Sequence, residues 1–356
     1  MNDVITHQGQ RPIRALGMLS GGLDSILAVR MLQNQGIEVE CVNFYTGFCV
    51  TGHTQALRSN KDGTMKQHDA LAAAEQLGVK LHIEDISEDY VEIVTNPRYG
   101  YGKNVNPCLD CKIFMVQKAK QMMETMGFDF VFTGEVLGER PMSQRRDTFP
   151  VIERDAEMRG WLLRPLSAQL LPETEPEKKG WVDRSKLGRI GGRSRKPQLA
   201  LVRQFDIKEF PQPAGGCCFL TDENYARRLK DMWQVRGSRR YTMDDIVLLK
   251  VGRHLRINPQ YKLIVGREEG ENHYLQGYSD RFDTLRAEVV PGPVVLVDGN
   301  LESEEEAERA MRITARFGKG RGDATVAIVL RRKTGEQIVR EVAPLPAEEV
   351  DHDWYL

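Results

Sequence analysis

A six-residue stretch, Ser20-Gly21-Gly22-Leu23-Asp24-Ser25, constrains the fold of this chain more than any other part of its sequence. An apolar run, residues 15–19, precedes the stretch, and a run with helical character, residues 26–32, follows it. The order strand, glycine turn, helix places a row of backbone N–H groups at a helix N-terminus, where the helix dipole favours an anion. The sequence therefore predicts a phosphate-binding turn within an α/β fold.

The residue types in this turn indicate how it binds a nucleotide. Gly21 and Gly22 let the backbone approach a phosphate closely. Ser20 and Ser25 add hydroxyl donors, and the carboxylate of Asp24 is suited to a magnesium ion. The turn has neither the lysine of a Walker A loop nor the spaced glycines of a dinucleotide fingerprint. We therefore predict a nucleotide site of another class, with Mg²⁺ at Asp24.

Alternating strand and helix patterns continue through the first half of the chain. The predicted strands are residues 15–19, 39–44, 79–86, 128–132 and 161–166, and the predicted helices are 26–32, 65–77 and 113–126. This alternation is typical of βαβ units and predicts a doubly wound, mostly parallel sheet. From about residue 241, short β-like runs and a capped helix, Ser303 to Ala315, predict a smaller α+β domain.

These patterns divide the chain into four segments. We predict a flexible N-terminus at 1–12, a nucleotide-binding domain at 13–172, a basic linker that also carries the later cysteines at 173–240, and the α+β domain at 241–356. A proline-rich break, residues 172–176, marks the edge of the nucleotide-binding domain.

The end of the second predicted strand lies beside the phosphate-binding turn. At this position, Phe44 is a candidate to pack against an adenine ring. The alternative is that Phe44 packs in the apolar core. The following residues, 46–64, are predicted to form a loop over the site. Cys49 and His53 in this loop are assigned no role.

Charge is unevenly distributed, although the formal net charge is only -1. Residues 178–203 contain nine basic residues and one acidic residue, Asp183, and the glycine-rich part at 188–196 is too polar for a core element. Basic side chains at 227–240 extend the positive character. Lys and Arg neutralise phosphates, so these stretches predict a nucleic-acid partner.

The apolar runs of the sequence are too short to cross a bilayer, which predicts a cytoplasmic protein without a membrane partner.

Four of the six cysteines fall into two clusters. Cys108 and Cys111 stand just before a predicted helix, where thiolates are stabilised, and Cys217 and Cys218 lie on a glycine-rich turn. Three interpretations remain open: structural zinc, a persulfide or disulfide mechanism, and a 4Fe-4S cluster. The cluster would take Cys108, Cys111 and Cys218 as ligands, with Cys217 as the alternative third ligand.

The turn at 20–25 resembles the signature of the PP-loop ATP pyrophosphatase family, which splits ATP between the α and β phosphates and adenylates a substrate oxygen. Residues 133–144 resemble the corresponding turn of the tRNA 4-thiouridine synthases, except that Glu139 replaces a glutamine and one residue is inserted. The resemblance implies that ATP is the nucleotide and that Gly134 and Gln144 contact it.

The cysteine motifs resemble those of the tRNA thiolation enzymes. Asn-Pro-Cys-x-x-Cys-Lys contains Cys108 and Cys111, and Cys218 with Phe219 fits the later motif of the 2-thiouridylases better than Cys217 does. The resemblance covers residues 13–233 and implies that Asp24, Cys108, Cys111 and Cys218 are catalytic. Residues 251–272 resemble a small α+β module that accompanies RNA-associated proteins.

The predicted function is that of an ATP-dependent tRNA sulfurtransferase that adenylates a nucleobase oxygen, with uridine favoured, and replaces it with sulfur. The expected sulfur donor is sulfide or a cysteine desulfurase. Two alternatives stay open: an adenylating ligase or amidating enzyme acting on a small metabolite, and a zinc-containing RNA-binding protein without catalysis. The sequence leaves the oligomeric state open, with a homodimer among the alternatives.

Overall fold

The computed structural model describes residues 11–50, 68–211 and 218–356. Of these, residues 11–50, 68–211 and 218–221 belong to one compact unit, and residues 222–356 form a second. Among the described helices, none combines the length and the apolar character that crossing a membrane requires.

The first unit is a parallel sheet with helices. Its strands are β1 (Arg14–Met18), β2 (Glu38–Tyr45), β3 (Lys80–Asp85), β4 (Phe130–Thr133) and β5 (Leu162–Leu163). Its helices are α1 (Leu23–Gln33), α2 (Asp69–Leu77), α3 (Tyr90–Thr95), α4 (Cys108–Met126), α5 (Phe149–Asp155), α6 (Glu175–Lys178) and α7 (Lys196–Gln204). The strand order is β3-β2-β1-β4-β5 and every neighbouring pair is parallel, which confirms the predicted α/β fold.

Helix α1 is buried on almost every side, since eight of its 11 residues are buried. A helix that is apolar all round needs cover from more than one direction. Ala15 and Phe130 of the sheet share an apolar cluster with α1, and so do Leu187 and Ile190 from the stretch predicted as a basic linker. The first part of that stretch, residues 181–210, therefore packs on the first unit, because apolar residues spaced among its charges complete the burial of α1.

The second unit is an antiparallel sheet with helices. Its strands are β6 (Arg253–Arg256), β7 (Tyr261–Val265), β8 (Asp283–Ala287), β9 (Val295–Gly299), β10 (Val326–Arg331) and β11 (Gln337–Val342), in the order β11-β10-β8-β9-β7-β6. Its helices are α8 (Glu223–Arg236), α9 (Met243–Leu248), α10 (Glu269–Gln276) and α11 (Glu304–Phe317). Ser303 caps α11 by accepting a hydrogen bond from the Glu306 N–H at 3.2 Å, so the predicted capped helix and α+β domain are confirmed.

A buried ion network ties α8 to the sheet of the second unit. Lys262 is 1% exposed, and its Nζ lies 3.5 Å from Asp231 Oδ2 and 3.2 Å from Asp298 Oδ2. Asp231 also accepts two hydrogen bonds from Arg256, at 2.8 and 2.7 Å. The network places two cations around one carboxylate, which makes Asp231 its central member.

We expect Asp231→Ala to destabilise the second unit by about 3–5 kcal/mol, because the guanidinium of Arg256 would lose its carboxylate and buried Lys262 would keep only Asp298 as a partner. Chemical denaturation of the full chain measures this loss. Asp280→Ala is the matched control, because Asp280 is 88% exposed in its pair with Arg331 and its removal should cost less than about 1 kcal/mol. Equal losses in the two variants would contradict a structural role for the network.

Candidate functional site

The predicted phosphate-binding turn follows β1 directly and leads into α1. Gly22 is the N-cap residue of α1, with φ -74° and ψ 157°, and contributes no side-chain cap to the first turn. Inside the turn, Ser25 Oγ donates to the Gly22 carbonyl at 2.7 Å and lies 3.3 Å from Ser20 Oγ. The two serines thus fix the shape of the turn, and the first N–H groups of α1 lie beside it.

Gly21 is required by the backbone of this turn. Its φ is +81°, a region that side chains with a Cβ rarely adopt, and an added Cβ would lie 2.5 Å from the Asp69 carbonyl carbon and 2.7 Å from the Ala70 nitrogen. The turn therefore packs backbone to backbone against the beginning of α2.

A second turn, residues 133–144, meets the first at the same edge of the sheet. It follows β4, which pairs with β1 in the middle of the sheet, where the strand order changes direction. The crevice outside the carboxyl ends of strands at such a switch point is where open α/β sheets bind ligands. A Cβ on Gly134 would lie 2.4 Å from the Ser25 nitrogen and 2.6 Å from the Asp24 carbonyl carbon. The two predicted turns therefore touch through their backbones.

A pair of carboxyl groups lies where the two turns meet. Burial raises the pKa of Asp24, although nearby Gln198 and the charges of Arg195 and Arg140 act in the opposite direction. Burial and the charge of Asp24 raise the pKa of Glu139, so the two carboxyl groups are close enough to repel each other when both are charged. Asp24 Oδ1 and Glu139 Oε2 are buried and lack a hydrogen-bond partner among the described residues. A divalent cation between them would neutralise the repulsion and supply the missing contacts, so the pair fits Mg²⁺.

We expect Glu139→Gln to raise the melting temperature of the metal-depleted protein by about 2–4 °C at pH 8, the shift that about 1 kcal/mol produces in a domain of this size. A carboxyl pKa raised by folding makes the native state less stable as the pH rises from the unfolded-state value through the folded-state value. The gain from removing this carboxyl should therefore be larger at pH 8 than at pH 5. Thermal melts at the two pH values measure it, with Glu124→Gln on exposed α4 surface as the control. A gain that is equal at both pH values would contradict a raised pKa of Glu139 in the folded protein.

Gln198 reaches this site from the stretch predicted as a basic linker, and the sequence analysis missed it. Gly192 N donates to the Leu137 carbonyl at 2.7 Å, which ties this stretch to the second turn just before α7 begins. Gln198 is 1% exposed, and its Oε1 has no hydrogen-bond partner among the described residues. The sequence did contain a signal for this position. Gln198 lies three, four and seven residues before Leu201, Val202 and Phe205, a spacing that places all four on the core-facing side of α7 and its C-cap.

Two other residues predicted to contact the nucleotide, Gln144 and Phe44, are buried in the first unit. Gln144 is buried on the second turn, where its carbonyl accepts a hydrogen bond from Gly138 N at 2.6 Å. Phe44 is buried at the end of β2 in an apolar cluster with Leu16 and Ile113. That packing is the core role named as the alternative for Phe44, and contact with adenine stays a prediction.

The first cysteine pair lies at the same sheet edge as the two turns. Helix α4 begins at Cys108, so both thiols stand in its first turn. Lys112, the residue after Cys111, places its Nζ 3.4 Å from Glu135 Oε1 of the second turn. Glu135 is buried, and although burial opposes its charge, Lys112 and Arg164 lower its pKa overall. This ion pair joins the cysteine-bearing helix to the turn that contacts Asp24.

The later cysteine is also brought to α4. Cys218 Sγ lies 3.7 Å from Oδ1 of Asn106, two residues before Cys108, and Leu220 O accepts a hydrogen bond from Val105 N at 3.3 Å. Cys217 lies outside the described residues, as does His53. Among the residues that are described, no three His, Cys, Asp or Glu side chains are arranged to hold a metal ion.

The fold comprises an α/β domain with a candidate nucleotide site in its crevice and an antiparallel domain that follows it in the chain, and two family models match these parts. Residues 14–149 match the tRNA methyl transferase HUP domain, and residues 252–355 match the NFACT protein RNA binding domain. Part of the first unit is therefore similar to that HUP domain, and most of the second unit is similar to that RNA binding domain.

Relatives whose names state an activity match about a third of this chain. The tRNA-specific 2-thiouridylase MnmA of Streptomyces griseus is 30% identical over 138 residues, which are 36% of this chain and 35% of that protein. The enzyme of the same name from Sulfurimonas denitrificans is 37% identical over 130 residues, 34% of each chain. The chain thus spans about a third of the length of these relatives. The crystal structure of a 4-thiouridine synthetase–RNA complex with bound ATP is a neighbour with 18% identity and a TM-score of 0.33, covering 55% of this chain and 51% of that chain.

Proposed function

We propose that this protein is an ATP-dependent tRNA sulfurtransferase that adenylates a nucleobase oxygen, with uridine as the favoured base, and replaces that oxygen with sulfur. One observation carries the proposal: a phosphate-type turn and two helix N-terminal cysteines lie at one sheet edge and are joined by the Lys112–Glu135 ion pair. The similarity of about a third of the chain to 2-thiouridylases supports the reaction class, and the match of residues 252–355 to the NFACT protein RNA binding domain supports RNA as the partner.

The two turns form the adenylating part of the proposed site. ATP supplies the adenylyl group: the base oxygen bonds to the α-phosphorus, pyrophosphate departs, and the oxygen later leaves with AMP. The N–H groups of Gly21, Gly22 and the first turn of α1 would bind phosphate oxygens. Asp24 and Glu139 would hold Mg²⁺, which would neutralise charge on the departing pyrophosphate, and the nearby amide of Gln198 would help to position the Asp24 carboxylate.

The cysteines form the sulfur-handling part. Cys108 and Cys111 stand at a helix N-terminus, which favours the thiolate form, and Cys218 lies close to the same helix end. Three thiolates are the right donor type for a 4Fe-4S cluster, but the described side chains are not arranged as a ligand set. The proposal therefore treats the cysteines as thiols that receive persulfide sulfur from a cysteine desulfurase, and routes no step through a cluster. The outer persulfide sulfur bonds to the activated base carbon as AMP leaves; a second cysteine then attacks the inner sulfur, so that the thiolated base departs and a cysteine disulfide remains for a dithiol to reduce.

An anaerobic assay of the full chain tests the proposal. The protein, in excess over unmodified tRNA so that one turnover suffices, is incubated with Mg²⁺-ATP, cysteine and a cysteine desulfurase, and thiolated tRNA is detected by its retardation in a mercury-containing gel. We expect product that depends on both ATP and protein, together with ATP–pyrophosphate exchange stimulated by tRNA. Exchange that requires a small carboxylic acid instead of tRNA would favour the ligase or amidating enzyme, and RNA binding without ATP turnover would favour the non-catalytic alternative.

Metal analysis of the same preparation decides how sulfur is held. Iron and acid-labile sulfide at about four per chain would establish a cluster. Zinc alone, without ATP turnover, would favour the RNA-binding alternative. Thiolation by metal-poor protein would establish the thiol route.

A further inference from the structure

Cys49, which the sequence analysis left without a role, lies directly opposite Cys218. The two residues form an isolated antiparallel β-bridge. Phe219 N donates to the Phe48 carbonyl at 2.9 Å, so the hydrogen bond of this bridge is made by the flanking residues and not between the two cysteines themselves. In pairs of this kind the Cα atoms are about 4.5 Å apart and the side chains project from the same face. Disulfides require Cα separations of about 4.4–6.8 Å, so the backbone is suited to a bond between the two sulfurs.

In the structure each sulfur contacts a different neighbour. Cys49 Sγ lies 3.5 Å from Thr46 Oγ1 and 3.8 Å from the Phe44 carbonyl oxygen. Cys218 Sγ lies 3.7 Å from Asn106 Oδ1, toward the beginning of α4. Both cysteines are partly exposed to solvent, so small oxidants can reach them. Rotation about the two Cα–Cβ bonds is the change needed to bring the sulfurs together.

We propose that Cys49 and Cys218 are a reversible dithiol–disulfide pair whose oxidant is a low-molecular-weight disulfide. The Cys218 thiolate attacks the small disulfide, a mixed disulfide forms, and one small thiol leaves. Cys49 then gives up its proton and attacks the Cys218 sulfur, the second small thiol leaves, and the Cys49–Cys218 bond remains. Two electrons pass from the two cysteines to the small disulfide, and a dithiol reverses the sequence.

The disulfide would control the sulfur-handling part of the site, a consequence that rests on the proposed function. Bonding to Cys49 takes Cys218 Sγ away from Asn106 and from the end of α4 that carries Cys108 and Cys111. The adenylating part contains no cysteine in its two turns. Oxidation is therefore expected to stop tRNA thiolation while ATP–pyrophosphate exchange continues.

Peptide mapping of the full chain tests the pair directly. The protein is equilibrated with oxidised glutathione, alkylated and digested with chymotrypsin, which cuts between Cys41 and Cys49 at Phe44 and Phe48. We expect a peptide containing Cys49 linked to one containing Cys218, and its loss in Cys218→Ser but not in Cys217→Ser. Cys41 is an internal control that should stay reduced, because burial raises the pKa of its thiol to about 12.

The variant Cys49→Ser separates this pair from the other pairs that the cysteines could form. Wild-type protein should finish without bound glutathione, whereas Cys49→Ser should retain one glutathione on Cys218, because the resolving thiol is missing. Linkage of Cys218 to Cys108 or Cys111, or absence of any linkage to Cys49, would overturn the proposal.

Activity measurements separate this proposal from the proposed function. Oxidised wild-type protein should regain thiolation when treated with dithiothreitol, and reduced Cys49→Ser should thiolate tRNA as well as the wild type does. Full thiolation by protein that contains the mapped disulfide would overturn the control role. A mapped disulfide in a protein that thiolates no tRNA in either redox state would refute the proposed function and leave the disulfide pair standing.

Discussion

Asp24→Asn is expected to lower the rate of ATP–pyrophosphate exchange by at least about a hundredfold, the scale of loss when a metal site is deprived of a needed oxygen ligand. Asn keeps the shape of the side chain but removes the charge that would hold Mg²⁺ beside the departing pyrophosphate. Because burial raises the pKa of Asp24, its charge is a cost to the folded state. The melting temperature of the metal-depleted variant should therefore equal or exceed that of the wild type, so that activity and stability change in opposite directions.

Two controls define what Asp24→Asn measures. Glu124→Gln makes the same acid-to-amide change on exposed surface of α4, where Glu124 pairs with Lys120, and should leave exchange unchanged. Mg²⁺ titration monitored by thermal melting should stabilise the wild type and have a smaller effect on Asp24→Asn. Exchange at the wild-type rate in Asp24→Asn would exclude Asp24 from the metal site, and a large loss of stability would show that the residue has a structural role instead.

Strand and helix periodicity was sufficient to predict the fold. The glycine turn at 20–25 follows β1, the turn at 133–144 follows β4, and both lie at the carboxyl edge of a parallel sheet as the alternation of elements predicted. Helix α4 differs from the prediction by beginning at Cys108, which places both thiols inside the helix and not in a turn ahead of it. The Pro107 N-cap accounts for this boundary, because a proline is tolerated at the start of a helix.

The sequence could not show which residues from distant segments converge on the site. Glu139 was noticed only as a departure from a family motif, and its contact with Asp24 depends on the close approach of two turns. Gln198 was hidden in a stretch whose net charge suggested an open linker, although the inward spacing of its apolar neighbours indicated a packed helix. Cys49 meets Cys218 across 169 positions of sequence through one β-bridge, and no local pattern predicts such a pairing.

Gly134→Ala is expected to destabilise the first unit by about 1–3 kcal/mol or more, because it forces a methyl group into a filled space. The added carbon would lie 2.4 Å from the Ser25 nitrogen and 2.6 Å from the Asp24 carbonyl carbon, and backbone atoms cannot rotate away as a side chain can. Either the second turn or the beginning of α1 must shift, and each shift separates Glu139 from Asp24. Thermal or chemical unfolding measures the loss of stability, and calorimetric titration with Mg²⁺-ATP should show weaker binding in the same variant.

Gly22→Ala is the matched control for Gly134→Ala. Gly22 has backbone angles that alanine adopts without strain, and the nearest atom to an added Cβ is Ser20 Oγ at 3.5 Å. Its stability should stay within about 1 kcal/mol of the wild type, since alanine also restricts the unfolded chain. Its methyl group would nevertheless stand where the turn approaches a phosphate, so Mg²⁺-ATP should bind more weakly without loss of fold. If Gly134→Ala proves as stable as Gly22→Ala, the two turns do not touch in solution, and the carboxyl pair on which the magnesium site depends is not formed there.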